Sequence, residues 1–515
     1  MAWLTWTNSL LGFLLVFFYY RSVDSNKPRR PPQPKPHFLL GNMRDMPKGG
    51  NEWVKYRDLG RKLGSDIVYL NIFGRSILAI NSLRTANELL DKRGAVYSER
   101  PRLPYLKELS GWDWNLALMD YGRKFQLYRR LVQQYFQPSI VSNSYESLVK
   151  LETWKLVNNL LKTPDRFVNH LHNMAGGIIL MITYGHKIKP QGDKYVELVE
   201  ELRKSGSQTP GSRLVDTFPS LMKLPKWFPF AEFHQHATKS RALSERMRRE
   251  PFEAAKQHQA AGTAIPSMTI SLLESDFASE GFDREQTIMD CSGVVYGAGA
   301  DTTVTSLTSF FLAMMLHKDV QRKAQAELDT VIGRSRMPQF SDRSSLPYVN
   351  AVLKEVLRWQ PVTRLGIPHC AMNDDEYNGM HIPKGTVVFS NIWAILHDPD
   401  IYPDPESFIP ERYLPDSSGE ESKVPDPASA SFGFGRRICP GRHLADSSMW
   451  IAIASVLHLF DISKIKASNG REIEPKVSYT SGVVNIPTPF KCAITPRFPQ
   501  AASVIDDSID LDGEN

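Results

Sequence analysis

The stretch Phe432-Gly433-Phe434-Gly435-Arg436-Arg437-Ile438-Cys439-Pro440-Gly441 brings one cysteine to the point where a glycine-rich loop runs into an apolar segment. Over 444–460 the residues are almost all apolar or small. That is the pattern of a buried helix whose first turn lies just beyond Cys439, with Pro440 near its start. A helix N-terminus presents unpaired N–H groups and the positive end of a dipole, and Arg437 and Arg442 add charge nearby. All of these favour the anionic form of sulfur, so the stretch predicts a thiolate.

Three readings fit Cys439. It is an inert core cysteine, the ordinary fate of a lone one; a zinc ligand, with His443 four residues on but without two further ligands at zinc spacing; or the axial thiolate of a haem iron. In the third, glycines let the backbone approach the porphyrin and an arginine meets a propionate.

The residues Phe432, Gly435, Arg437, Cys439 and Gly441 resemble the haem-binding signature of the cytochrome P450 monooxygenases, F-x-x-G-x-R-x-C-x-G, with every fixed position filled. Three more of that family's motifs stand in the same order: Ala298-Gly299-Ala300-Asp301-Thr302-Thr303, Glu355-Val356-Leu357-Arg358 and Pro410-Glu411-Arg412-Tyr413. The resemblance covers roughly residues 35 to 497. With Trp393-Ala394-Ile395 and His397-Asp398-Pro399 between motifs, the wording is most similar to the fungal microsomal branch near the O-methylsterigmatocystin oxidoreductases.

Length alone, at 515 residues, suggests about three domains. The motifs are instead scattered over residues that make sense only at one shared site, which argues for one large domain, 37–498. A formal charge of +6 is too mild and too scattered for nucleic acid. Four cysteines, Cys291, Cys370, Cys439 and Cys492, have no paired spacing and indicate a reducing compartment.

Ahead of that domain, residues 1–24 carry an apolar run long enough to span a bilayer, followed by Arg21, Lys27, Arg29 and Arg30. The positive-inside rule then places the remainder in the cytosol. Residues 25–36 hold five prolines in their last nine positions, a semi-rigid spacer. Alternation over 66–81 predicts a hairpin turning at Gly74. The segment 205–235, apolar and broken by prolines, reads as an inter-helix connection or as a lid dipped into a membrane surface. Residues 499–515 are acidic without an apolar period and are expected to be disordered.

Asp283, with Gln286 three residues on, opens the longest helical pattern, which runs to about His317. Gly293, Gly297 and Gly299 interrupt it, each costing about 1 kcal/mol against alanine. The expectation is that its backbone bends aside for haem and dioxygen, leaving Asp301 and Thr302 aimed at the sixth coordination position.

What the resemblance implies is a mostly α fold with a small β region, haem b between two long helices, and one transmembrane helix in front. It implies Cys439 as the iron ligand, with Arg129, His369, Phe432, Gly435, Arg437 and Gly441 holding the cofactor. Phe125 stands where relatives have a propionate-binding tryptophan. Asp301 and Thr302 would be catalytic, and Glu355, Arg358 and Arg412 a buried structural network. Arg364 is a further candidate for a propionate or for an anionic group on substrate.

Electrons would come from NADPH through NADPH-cytochrome P450 reductase, with cytochrome b5 as an optional donor. The reductase would dock on a basic face formed by Arg123, Lys124, Arg129, Arg130, Arg436 and Arg442. The protein would sit in the endoplasmic reticulum membrane and oxidise a small apolar natural product of fungal secondary metabolism, terpenoid first, polyketide or indole-derived behind it. A haem-thiolate isomerase or dehydratase is the rival reading. Such enzymes often lack the acid–alcohol pair that Asp301-Thr302 preserves.

Overall fold

A computed structural model describes residues 28–47, 49–206, 212–228, 231–416 and 418–513. The expected anchor and the first residues of the spacer lie outside the described residues. Among those described, no helix is long and apolar enough to cross a membrane.

The elements that position the site are, in chain order, helix α1 (Glu52–Leu63), strands β1 (Ile67–Ile72) and β2 (Arg75–Ile80), and helices α2 (Arg123–Gln133), α3 (Glu146–Lys162), α4 (Phe167–Tyr184), α5 (Lys194–Gly206) and α6 (Phe233–Ala260). They continue with α7 (Arg284–Leu316), α8 (Lys318–Val331), α9 (Pro347–Trp359), β3 (His369–Cys370), β4 (Val387–Ser390) and α10 (Arg442–Leu459). Strands β5 (Phe460–Lys464) and β6 (Cys492–Pro496) and helix α11 (Ala501–Gly513) close the chain. The expected hairpin forms β1 and β2 and turns through Phe73 and Gly74, both at positive φ. These strands join β4 and β3 in the order β1-β2-β4-β3, with β2 and β4 parallel, and this brings His369 of β3 beside Val388 of β4.

Helix α7 begins where the sequence places it: the Asp283 carboxylate accepts the Gln286 amide at 2.7 Å. The Gln286 side chain does not close a capping box but donates to Asp290, one turn further on. Buried along most of its 33 residues, α7 packs on α4, α6 and α10. Its glycines are places where neighbours come close. A methyl group at Gly299 would lie 2.6 Å from Cγ1 of Ile179 on α4; at Gly297, 3.1 Å from Cε of Met247 on α6; and at Gly293, 3.1 Å from Trp114. They let neighbouring elements approach α7 closely.

The tail is also different. Helix α11 packs on α3 and buries Ala501, Val504 and Ile505. Those three, within a segment judged too acidic to order, supply the apolar face that carries the helix.

Candidate active site

Cys439 lies at the end of a loop whose shape its glycines permit. Gly433 and Gly435 have φ of +77° and +51°, and a Cβ at Gly435 would lie 2.3 Å from the Leu90 carbonyl oxygen. The Cys439 amide donates to the Phe432 carbonyl at 2.8 Å, closing the loop, and Gly441 caps α10 immediately afterwards. Arg129 of α2 donates to the Ile438 carbonyl, one residue before the cysteine, and at 3.2 Å to Gln133. Phe432, Gly435, Cys439, Gly441 and Arg129 are therefore brought together, with Arg129 on the loop backbone.

The expectation of a ready-made thiolate needs correction. Burial pushes the Cys439 thiol up; the Gly441 amide, Arg129 and Arg442 pull it back only in part. Arg437 contributes nothing resolved to the sulfur. The loop positions the ligand, and its ionisation belongs with the metal it binds.

Arg437 belongs to a second cluster. It donates to the carbonyls of Ser98, Leu116 and Met119, and its guanidinium carbon lies 3.7 Å from the centre of the Phe125 ring. Phe125 thus takes part as a π-face under a half-buried cation, although it has no hydrogen to donate. Beside Arg437 is Arg100, a residue the sequence reading passed over, which donates to Ala117, Ile367 and Pro368 carbonyls. Burial holds Arg437 down to about 10 and Arg100 well below the usual arginine range.

His369 joins this cluster from β3. Its Nδ1 lies 2.7 Å from the Tyr97 carbonyl oxygen, which only accepts, so the proton is on Nδ1. Burial, Arg100 and Arg437 hold it far below the ordinary histidine range, and it is neutral. The charge for an anion therefore comes from Arg100 and Arg437, and His369 adds none.

These residues fit haem b. A buried guanidinium, Arg100, and a half-buried one, Arg437, whose side chains donate to carbonyls alone, suit an anion such as a propionate. A half-buried cysteine stands at the neighbouring loop. Among the described residues, no cluster of three or more His, Cys, Asp or Glu side chains is placed to hold a bare metal ion.

The Glu355-Arg358-Arg412 network is present in full. Arg358 makes a bidentate pair with Glu355, both bonds at 2.8 Å, and spends its other donors on the carbonyls of Leu396, Pro405 and Ser407. Glu355 also accepts the Ile409 amide and lies 3.3 Å from Arg412. Arg364 is elsewhere. It is buried between Trp53 of α1 and Tyr479, 4.4 and 4.2 Å from their ring centres, and bonds to Gln360, so its expected role at a propionate or on substrate is withdrawn.

On α7, Thr302 donates to the Ala298 carbonyl at 3.0 Å. Asp301 is mostly buried, its Oδ1 has no hydrogen-bond partner, and desolvation raises its carboxyl to about 6. Outside the thiol loop, an open groove of about 390 Å³ is lined by Tyr121, Phe125, Arg129, Arg130 and Arg436, among others. It lies on the expected basic face, where Glu280 partly neutralises Arg130, at 2.9 Å, and Arg123.

Residues 31–494 match the family model described as Cytochrome P450. The chain belongs to the cytochrome P450 family. It is 40% identical to cytochrome P450 monooxygenase claR of Ampulloclitocybe clavipes over 97% of this chain and 92% of the relative. It is 41% identical to cytochrome P450 monooxygenase 208 of Postia placenta over 96% of each, and 37% identical to cytochrome P450 monooxygenase ppsD of Aspergillus oryzae over 92% and 90%. As a cytochrome P450 monooxygenase it binds haem b, draws electrons from a reductase and acts on a small substrate.

Proposed function

We propose that this cytochrome P450 oxidises a small apolar natural product of fungal secondary metabolism, a terpenoid before a polyketide or an indole-derived compound. The haem, when bound, supplies dioxygen activation, and the chain's residues orient it and move protons. Cys439 is its ligand; Phe432, Gly435 and Gly441 form the cradle; Arg437, with Arg100, takes the propionates; His369 packs at that edge. Arg129 locks the loop on which the sulfur is carried.

The observation that carries this reading over an isomerase is Asp301. A buried carboxyl with an unpartnered oxygen, held near the working pH, suits the handling of protons and serves no evident packing purpose. Thr302, next along α7, has a hydroxyl to receive them. Microsomes carrying the protein are to be incubated with candidate terpenes and followed by mass spectrometry. Product that needs both NADPH and dioxygen supports the reading; product formed without NADPH favours the isomerase.

We further place the catalytic domain on the cytosolic side of the endoplasmic reticulum membrane, held by residues 1–24, with cytochrome b5 as a second electron donor. Exposed Phe38, Leu39, Phe73, Phe218, Trp227 and Phe228 support membrane contact, and Phe73 meets Phe218 at 5.4 Å. Deleting residues 1–24 is expected to release much of the protein while retaining haem. Loss of haem would contradict the separation of anchor from domain.

A further inference from the structure

Asp301 does not stand alone on α7. His172 of α4 brings its Nδ1 to 3.8 Å from Asp301 Oδ1, and each side chain keeps less than a fifth of its surface exposed. From α5, Arg203 and Glu200 also act on the Asp301 carboxyl, Arg203 lowering it and Glu200 raising it. Those two pair with each other at 3.5 Å and are about one-third exposed, so they reach solvent. From α6, the element packed on the other side of this stretch presents uncharged Met247 at Gly297.

Two buried atoms in this group lack hydrogen-bond partners: the acceptor Asp301 Oδ1 and the donor Nε of Arg203. Buried polar atoms are almost always satisfied, and an orphaned carboxylate oxygen beside a histidine is a setting in which an ordered water sits. At 3.8 Å, His172 and Asp301 are one bridging water, or one small side-chain rotation, from direct contact. The buried acid thus has beside it a histidine that itself keeps 15% of its side chain exposed.

We propose that His172 is a positioning residue that hands protons from solvent to Asp301. It rests on the reading of Asp301 as the proton-handling acid. In the step, the Nδ1–H bond of the imidazolium breaks and an O–H bond forms on Asp301 Oδ1, leaving neutral histidine and neutral carboxyl. No electrons move. The imidazole, part-exposed, then regains its proton from water. Histidine suits this place because its charge changes in the physiological range. Nearby Gly299 lets Ile179 of α4 come into contact with α7, which keeps the two helices close.

The test uses the full-length holoenzyme and three proteins: wild type, His172→Gln and Asp301→Asn. His172→Asn replaces the glutamine variant if the latter loses haem. The first readout is the infrared band of the protonated Asp301 carboxyl, identified by its loss in Asp301→Asn and titrated without substrate or reductant. Removing the proton that the proposal assigns to His172 should move this midpoint upward in His172→Gln. The second is hydrogen peroxide released per NADPH in the reconstituted system, which should rise roughly threefold or more as proton supply slows.

Both changes together support the relay. A shifted midpoint with unchanged peroxide makes His172 a mere electrostatic neighbour and overturns the proposal; extra peroxide with an unmoved midpoint assigns the loss to packing and overturns it as well. If Asp301→Asn itself leaves peroxide unchanged, the underlying reading of the acid fails. If Asp301→Asn uncouples the enzyme and His172→Gln alters nothing, only His172 is removed.

Discussion

At the scale of single residues, the site is a set of buried charges, each with a different solution to desolvation. Arg358 satisfies all five donors, two of them on Glu355, in a region with no exposed surface. Replacing Glu355 by Gln leaves two arginines without their carboxylate. Breaking one side of a buried pair costs about 3–5 kcal/mol, so Glu355→Gln should fail to accumulate folded, haem-containing protein, read as haem bound per polypeptide after purification.

Asp301 follows the opposite rule. Its folded carboxyl sits at about 6 against an ordinary 3.8, so the protonated form is favoured in the fold. For an acid shifted this way, the stabilisation is complete below the unfolded value and is lost as pH rises through the folded one. Ionised Asp301 therefore costs the fold on the order of 3 kcal/mol at neutral pH. Asp301→Asn should melt a few degrees above wild type at pH 8 and lose that advantage at pH 4. A mutant less stable at pH 8 would contradict the assigned environment.

What the sequence disclosed at this scale was the motif residues. Arg100 was invisible because nothing in Ser98-Glu99-Arg100-Pro101 marks an arginine that will be buried; only the fold brings it to Arg437. Arg364 misled for the same reason, since an unusual charge in a strand-like segment says nothing of the two aromatic rings, Trp53 and Tyr479, that enclose it.

At the scale of elements, the boundaries of α7 and α10 were legible because caps and apolar runs act locally: Asp283 starts one, and the Pro440-Gly441 pair precedes the other. The reason for the glycines in α7 was not legible, because helix contact distance is a property of pairs. A methyl group at Gly299 would press on Ile179, so Gly299→Ala, despite alanine's better helix propensity, should destabilise by about 1–3 kcal/mol. Thermal unfolding checks the sign, and the double variant Gly299→Ala, Ile179→Val should recover part of the loss. Helix α11 shows the complementary error. Asp506, Asp507 and Asp510 dominate its composition, while Ala501, Val504 and Ile505 decide its fate by docking on α3.

At the scale of the whole molecule, the fold brings Arg100 to Arg437 of the Cys439 loop and packs α7, which carries Asp301, on α10, the helix that follows that loop. Resemblance of motifs anticipated that assembly; composition and periodicity alone did not reach beyond a large, mostly helical domain. The central claim is that Cys439 supplies the iron's thiolate. The other three cysteines lie outside the glycine-rich loop: Cys291 on α7, Cys370 on β3 and Cys492 on β6. The direct measurement is the reduced, carbon-monoxide-bound absorption spectrum of wild type and Cys439→Ser at equal haem content. The thiolate-type Soret band should be present in wild type and absent in the serine variant; the same band in both would contradict the account.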